Sequence, residues 1–346
     1  MLGFPPRGAA GQRGRGGEHE AARRRRPDGR PRAPARPDRR EAPGHAGHAG
    51  NLPAVRPIRE IPPGLCRDLE WFFTDIDDTM TSDGLLPECS YGALWDLVGA
   101  GIRVVPVTGR PAGWCDHIAR MWPVAAVVGE NGAFYYSYER AARKMRRRYA
   151  LPPAQLAAGR DRLERIARRV LAEVPGTAVA ADQPFRISDW AIDYCEDVPP
   201  LSEDGIDAIC RILAAEGVRY KVSSIHVNYW LGDFDKLSCV KLLLEEFTGL
   251  PFSSLGGRIA FIGDSPNDEP LFAGIPQSIA VGNLRQFAAR LAHLPRYITE
   301  ADSAEGFCEA ARAILDARGV LDARGVLDAR GVLDARGVFE GRGSDG

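Results

Sequence analysis

The sequence predicts an α/β protein with a Rossmann-like, doubly wound parallel sheet as its core, and two observations carry this prediction. Short apolar runs that end in polar clusters alternate with helical stretches on either side of the middle of the chain. Such alternation is typical of a mostly parallel sheet covered by helices on both faces. Residues 134–231 break this rhythm with two long helical patterns and several strand-like segments, which predicts an inserted α+β cap domain.

Each element of the predicted core rests on a local pattern. Strands are expected where apolar runs are short, and helices where apolar residues recur at helical spacing. The predicted core strands are 69–74, 103–107, 124–128, 258–262 and 278–281. The predicted core helices are 91–100, 113–121, 235–247, 270–273 and one that begins at 284. Within the cap we expect helices at 153–173 and 203–216, flanked by strands at 133–138, 187–194 and 220–230.

The two ends of the chain differ from this body in composition. Residues 1–64 are rich in Arg, Pro, Gly and Ala, and we interpret them as a disordered arm because they offer almost nothing for a core. Residues 315–346 form a tail in which Leu-Asp-Ala-Arg-Gly-Val occurs four times in a row. The catalytic core is expected in two pieces, 65–133 and 232–314, with the cap between them.

Overall composition narrows the class of protein. The net charge is −1, so no global basic field favours nucleic acid as the partner. The seven cysteines are widely spaced without a CxxC pair, which fits free thiols in a reducing cytoplasm better than zinc or disulfides. No apolar run is long enough for a membrane span. Composition leaves the oligomeric state open.

The strongest chemical signal is an Asp-x-Asp pair directly after an apolar strand, in Phe72-Phe73-Thr74-Asp75-Ile76-Asp77. Reactive groups of a doubly wound sheet lie at the carboxyl ends of its strands. Two carboxylates in one loop can bind a hard cation such as Mg²⁺. One of them can also attack an electrophile while the other transfers a proton.

Three further pieces follow at other predicted strand or helix ends. The strand at 258–262 leads into Gly-Asp-Ser-Pro-Asn-Asp, which supplies Asp264, Asn267 and Asp268. The strand at 103–107 leads into Thr108, Gly109 and Arg110, and a hydroxyl with backbone amides at such a turn suits phosphate oxygens. Lys236 lies at the beginning of the helix that precedes the strand at 258–262.

These motifs, in this order, resemble those of the haloacid dehalogenase superfamily. The position of the cap, and Glu130-Asn131-Gly132-Ala133 leading into it, resemble the Cof-type branch that includes sucrose-phosphate phosphatase, mannosyl-3-phosphoglycerate phosphatase and phosphomannomutase. The resemblance covers residues 68–312 and neither tail.

The resemblance implies a Mg²⁺-dependent phosphatase. Asp75 would form an aspartyl-phosphate, and Asp77 would protonate the leaving oxygen and then activate water. Mg²⁺ would be held by Asp75, the Asp77 backbone carbonyl and Asp264, with Asn267 and Asp268 orienting them. Thr108 and Lys236 would bind the phosphoryl oxygens. By analogy to the branch, the substrate would be a small phosphate monoester such as a sugar phosphate.

Several alternatives stay open at this point. A phosphomannomutase-like enzyme would share the site but require a sugar bisphosphate activator. A protein that binds nucleic acid or another partner through its basic arm would show salt-dependent RNA binding that is lost without that arm. Arg110 could contact substrate or pair with an acid, and the Asn131 amide could meet a sugar hydroxyl or serve a turn before Gly132.

Overall fold

The computed structural model describes residues 55–223 and 225–319. Its strands are β1 (Arg56–Pro57), β2 (Trp71–Thr74), β3 (Arg103–Pro106), β4 (Val127–Gly129), β5 (Phe134–Glu139), β6 (Lys144–Tyr149), β7 (Ala178–Val179), β8 (Asp189–Asp193), β9 (Arg219–Val222), β10 (His226–Trp230), β11 (Ile259–Gly263), β12 (Gln277–Ala280) and β13 (Tyr297–Ile298). Its α-helices are α1 (Pro63–Asp68), α2 (Glu88–Gly99), α3 (Ala112–Met121), α4 (Pro153–Glu173), α5 (Glu203–Ala215), α6 (Lys236–Thr248), α7 (Glu269–Gly274) and α8 (Ser303–Ala317).

The main sheet is parallel throughout and has the strand order β1-β13-β12-β11-β2-β3. All four residues of β2 are buried, because this central strand is covered by helices on both faces. Two apolar clusters lie on the two sides of the sheet, one containing Phe72 and the other Phe73. The predicted fold class, a parallel α/β core with an inserted cap, is confirmed.

The cap has its own sheet and its own apolar core. Its strands are antiparallel in the order β7-β8-β10-β9. Helices α4 and α5 pack on this sheet through buried residues such as Ile166 and Leu213. Both helices and the strands lie between β6 and α6 in the chain, so the cap is an insertion.

The predicted domain boundary at residue 134 assigned the hairpin of β5 and β6 to the cap, whereas in the structure this hairpin packs with the core. Its sheet, β4-β5-β6, continues the main sheet through a parallel bridge between Val107 and Val128. Phe134 and Tyr136 pack in the apolar cluster of the core, whereas the cap cluster begins at Leu163. The sequence could not show whether the hairpin belongs to the core or to the cap, because an apolar strand pattern does not show which sheet the strand joins.

The outer boundaries of the core also differ from the prediction. Strand β1 pairs with β13 and Ile58 is buried, so ordered structure begins within the predicted arm. The composition of residues 1–64 predicted a disordered arm, but proline is tolerated on an edge strand and in the first turn of a helix. At the other end, α8 continues into the first repeat unit and buries Leu315. The rest of the arm and of the repeats lies outside the described residues.

Within the described ranges, the structure contains no helix that is both long enough and apolar enough to cross a membrane.

Candidate active site

The carboxyl ends of three neighbouring strands meet at one edge of the main sheet. Asp75 follows β2, Thr108 lies two residues after β3, and Asp264 follows β11. Helix α6 begins beside them with Lys236, and its first turn is fixed by a capping box between Asp235 and Ser238. The local sequence therefore predicts the position of each side chain, and the sheet order brings them together.

Three buried carboxylates form the centre of the site. Ligand oxygens of Asp75, Asp264 and Asp268 all lie within 4.8 Å of one another. The Lys236 Nζ atom donates hydrogen bonds to Asp75 Oδ1 at 2.7 Å and to Asp268 Oδ1 at 2.6 Å. The other Asp268 oxygen accepts a hydrogen bond from the Asp264 backbone amide at 3.1 Å. Asp264 itself accepts a hydrogen bond from the Thr79 hydroxyl at 3.3 Å.

The electrostatics of this cluster favour an added cation. Burial raises the pKa of Asp75 to about 8, against the opposing charge of Lys236. Burial and the neighbouring Asp75 and Asp268 raise the pKa of Asp264 well above its ordinary value. Burial alone would lower the pKa of Lys236, but the charges of Asp268 and Asp75 outweigh it and raise the pKa. Three carboxylates face a single ammonium group, so their ionised forms repel one another, and a divalent cation with oxygen ligands would relieve that repulsion.

Asp77, in the same cleft, forms an ion pair with Arg110. The guanidinium Nε of Arg110 donates to both Asp77 oxygens at 3.0 Å, and Nη2 donates to Oδ1 at 2.8 Å. Of the two interpretations of Arg110 from sequence, the structure thus contains the pairing with an acid. The Arg110 backbone amide also donates to the Thr108 hydroxyl at 3.0 Å.

Asn131 lies behind the loop of Thr108 and Gly109. Its backbone adopts the left-handed conformation with φ of 58°, and its backbone N–H donates to the Thr108 carbonyl oxygen at 3.1 Å. A Cβ atom on Gly109 would lie 3.3 Å from the Asn131 side-chain amide. Both asparagines predicted at the site have local partners, since the Asn267 Oδ1 atom accepts from the Ser265 hydroxyl at 2.9 Å.

A cleft runs from the carboxylates to the cap. Its wall contains core residues of the predicted motifs, namely Asp75, Asp77, Gly109, Arg110, Asp264 and Asn267, together with Ser265. The cap contributes Arg186, Ser223, Ile225, His226 and Asn228. Thr108, Asn131, Lys236 and Asp268 are buried behind this wall. The sequence alone did not identify Arg186 or Asn228, because neither stands in a motif.

Arg186 connects the cap to the core loop that contains Thr108 and Gly109. This buried side chain donates to the Gly109 carbonyl at 2.9 Å and forms ion pairs with Asp182 and Asp189. Asp189 also accepts a hydrogen bond from the Asn228 side chain at 2.9 Å. The arginine is one of many in the chain, so only its position in the fold distinguishes it.

Glu130 joins the cap to the core from the other side. Its Oε1 accepts the backbone amide of Ala112 at 3.0 Å, and its two oxygens accept the amides of Ile187, Ser188 and Asp189 at 2.6–3.2 Å. Burial raises the pKa of Glu130 to about 8, while the charge of Arg186 and the amide hydrogen bonds oppose that rise. The sequence placed Glu130 at the entrance to the cap. It did not show the backbone amides that Glu130 accepts, because these are distant in the chain.

The parallel core, the acidic edge and the inserted α+β cap together define a haloacid dehalogenase-like hydrolase fold. The resemblance seen in the sequence motifs is confirmed at the level of the fold. No protein-family model matches the chain, and no curated protein matches it in sequence.

Comparison with solved structures supports the same fold. A haloacid dehalogenase-like hydrolase from Bacteroides thetaiotaomicron is 17% identical, over 71% of this chain and 99% of that chain, with a TM-score of 0.51. The sucrose-phosphatase of Synechocystis, in complex with sucrose and phosphate, is 16% identical over 72% and 98%, with a TM-score of 0.50. The C-terminal domain of trehalose-6-phosphate phosphatase from C. albicans is 13% identical over 77% and 98%, with a TM-score of 0.56.

Proposed function

We propose that the protein is a Mg²⁺-dependent phosphatase that hydrolyses a small phosphate monoester through an aspartyl-phosphate on Asp75. The observation that carries this proposal is the group of three buried carboxylates around Lys236 at the carboxyl edge of the parallel sheet. Phosphoryl transfer is mainly a matter of positioning and charge neutralisation, and this group would provide the first directly and the second through a bound cation.

Asp75 and Asp264 would hold the Mg²⁺ ion, with the Asp77 backbone carbonyl as a further ligand. Asp268 and Asn267 would orient these ligands. The bound ion would screen the charge of the phosphate, so that a carboxylate can approach it. The close approach of three buried carboxylates, with Lys236 as their shared cationic partner, supports this assignment.

The side chains of this chain would then divide the reaction among them. Asp75 attacks phosphorus, and its bond to phosphorus forms as the bond to the leaving oxygen breaks. Asp77 donates a proton to that oxygen and afterwards removes one from the attacking water. Lys236 and Thr108, with the backbone of Gly109, bind the phosphoryl oxygens. Arg110 lies in the wall of the cleft beside Asp77 and Gly109, and Asn131 would support the Thr108–Gly109 loop from behind.

The substrate class that we propose is the sugar phosphates. Two structures with the same fold are a sucrose-phosphatase and a trehalose-6-phosphate phosphatase domain, and the former holds sucrose and phosphate. The cap side of the cleft offers polar groups from Ser223, His226 and Asn228, which suit hydroxyl groups of a sugar.

All seven cysteines are free, which supports a location in the reducing cytoplasm.

The test is phosphate release from p-nitrophenyl phosphate and a panel of sugar phosphates, with and without Mg²⁺. We expect activity that needs the ion and falls by at least ~10³-fold in Asp75→Asn, because that variant lacks the nucleophile. Asp161→Asn, on the exposed face of α4, is the matched control and should retain full activity.

Two outcomes would contradict the proposal. Folded protein that releases no phosphate from any ester in the presence of Mg²⁺ would exclude a general phosphatase. Turnover only in the presence of a sugar bisphosphate would instead identify a mutase.

A further inference from the structure

The guanidinium group of Arg110 lies at the junction of core and cap. It is 7% exposed, and its Nε and Nη2 atoms are fully engaged with the Asp77 carboxylate. Its Nη1 atom points to the cap, where Glu196 Oε1 accepts a hydrogen bond at 3.2 Å and Asp182 Oδ2 lies at 3.9 Å. One planar cation therefore contacts the acid–base carboxylate of the core and an acid of the cap at the same time.

Glu196 is itself held rigidly in the loop after β8. The carboxylate of Asp193, at the end of that strand, accepts the backbone amides of Cys195, Glu196 and Asp197 at 2.8–2.9 Å. The second oxygen of Glu196 lies 2.9 Å from His226 Nε2. The adjacent His226 ring, together with the charge of Arg110, holds the pKa of Glu196 at about 2. Glu196 thus presents a fixed negative charge to Arg110 at neutral pH.

Trp114 supports the guanidinium from the core side. The centre of its ring lies 4.5 Å from the Arg110 Cζ atom, in a cation–π contact. The ring lies on the first turn of α3 and is 44% exposed, so it does not serve mainly to fill the core. A flat ring beneath a flat guanidinium restricts how the arginine can turn.

We propose that Glu196 and Trp114 are positioning residues for Asp77, acting through Arg110. The proposal rests on the proposed phosphatase function and deepens it. Glu196 reaches Arg110 only when the cap lies over the core, so cap closure and the orientation of the acid–base carboxylate are a single event. Proton donation to the leaving oxygen is then available only after the cap covers the substrate.

This arrangement has a specific kinetic signature. A sugar leaves as an alkoxide that needs a proton from Asp77, whereas p-nitrophenolate is a stable anion that leaves without one. A badly oriented Asp77 therefore slows formation of the aspartyl-phosphate from the sugar phosphate far more than its formation from p-nitrophenyl phosphate. The later attack of water on Asp75-bound phosphate is the same for both esters, so the difference is expected in kcat/KM, which reports the first step. A loss of folding or of phosphate binding would slow both esters alike.

The experiment measures kcat and KM for p-nitrophenyl phosphate and for the sugar phosphate of the panel that wild type hydrolyses fastest. The proteins compared are wild type, Glu196→Gln, Trp114→Leu and Trp114→Phe. General acid catalysis contributes ~10²–10⁴-fold, so we expect kcat/KM for the sugar phosphate to fall by at least ~10-fold in Glu196→Gln and Trp114→Leu. The fall for p-nitrophenyl phosphate should stay below ~3-fold, and Trp114→Phe should regain part of the sugar-phosphate activity because it keeps an aromatic face.

Matched controls come from the same two parts of the protein. Trp95→Leu removes a tryptophan of similar exposure, 41%, from α2, and Glu173→Gln removes an exposed cap carboxylate that pairs with Arg169 within α4. Both should behave like wild type. Thermal unfolding of each variant identifies any that is misfolded, and the exposed Trp114 site keeps the test decisive if Glu196→Gln does not fold.

Equal losses on both esters, or no loss on either, would overturn the proposal while leaving the phosphatase function intact. Wild type that hydrolyses neither ester would overturn both the proposal and the phosphatase function. If wild type is active and Asp75→Asn is not, the phosphatase function stands even where the proposal about Glu196 and Trp114 fails.

Discussion

At the scale of single residues, Glu130 shows how one buried carboxylate can fix the connection between two parts of a protein. Its two oxygens accept backbone amides from the start of α3 and from the segment before and into β8. Backbone amides can only donate, so the side chain must offer acceptors at both positions.

We therefore expect Glu130→Gln to lower the free energy of unfolding by about 3 kcal/mol, because an amide NH₂ would face amide donors and leave them unpaired. Urea denaturation followed by circular dichroism measures the change. Glu139→Gln is the control, since Glu139 is an exposed residue paired with Arg146 and should change stability by less than about 1 kcal/mol. A stable Glu130→Gln variant would show that these hydrogen bonds contribute little.

Sequence reasoning at this scale was strongest where a motif carries the chemistry. Asp75, Asp264, Asp268 and Lys236 were all predicted for one site, and the structure brings them within hydrogen-bonding or ligand distance. Their catalytic roles stay predictions. Glu196 and Arg186 were not found, because their significance depends on partners 86 and 77 positions away.

At the scale of elements, the segment that leads into β5 packs closely against the beginning of helix α6 at Gly132. This glycine has φ of +102°, and a Cβ atom there would lie 2.0 Å from the Asp235 carbonyl oxygen and 2.8 Å from the Lys236 amide nitrogen. The obstacle is backbone at the beginning of α6, which cannot rotate away. The position of Lys236 therefore depends on the absence of a side chain at Gly132.

We expect Gly132→Ala to displace the first turn of α6 and to lower the free energy of unfolding by at least about 3 kcal/mol, from strain and overpacking together. Phosphate release should fall in the folded fraction, because Lys236 moves away from Asp75. Thermal unfolding and the activity per folded molecule are the measurements. Gly256→Ala, which meets no atom within 4 Å, should leave both unchanged, and a Gly132→Ala variant equal to it would refute the argument.

At the scale of the whole molecule, the cap and the core have separate apolar clusters. The cap cluster includes Leu213 and Val227, whereas Phe134 and Trp230 at its borders pack in the core cluster. The described contacts between the two parts include hydrogen bonds and ion pairs of Glu130, Arg186 and Arg110, and Ile187 packs against the core cluster. Because each part has its own apolar cluster, we expect the cap to unfold locally without loss of the core.

We expect Leu213→Ala to destabilise the cap by about 2–5 kcal/mol, because it leaves a cavity at a fully buried position. In native-state hydrogen exchange, protection should fall in β8 and β10 and remain in β2 and β11, since local stability follows the packed unit. Leu171→Ala on the partly exposed side of α4 is the control. Equal loss of protection in both sheets would show that cap and core unfold as one unit.

The sequence by itself determined the fold class, the existence of an insertion and the residues of the acidic edge. These follow from local patterns, because a strand that ends in a carboxylate is visible in a few consecutive residues. The tertiary structure alone decided that the β5–β6 hairpin belongs to the core, that Arg56–Pro57 forms an edge strand, and that Arg110 joins Asp77 to Glu196. Such pairings depend on distance in space between residues far apart in the chain, and neither periodicity nor motif spacing records that distance.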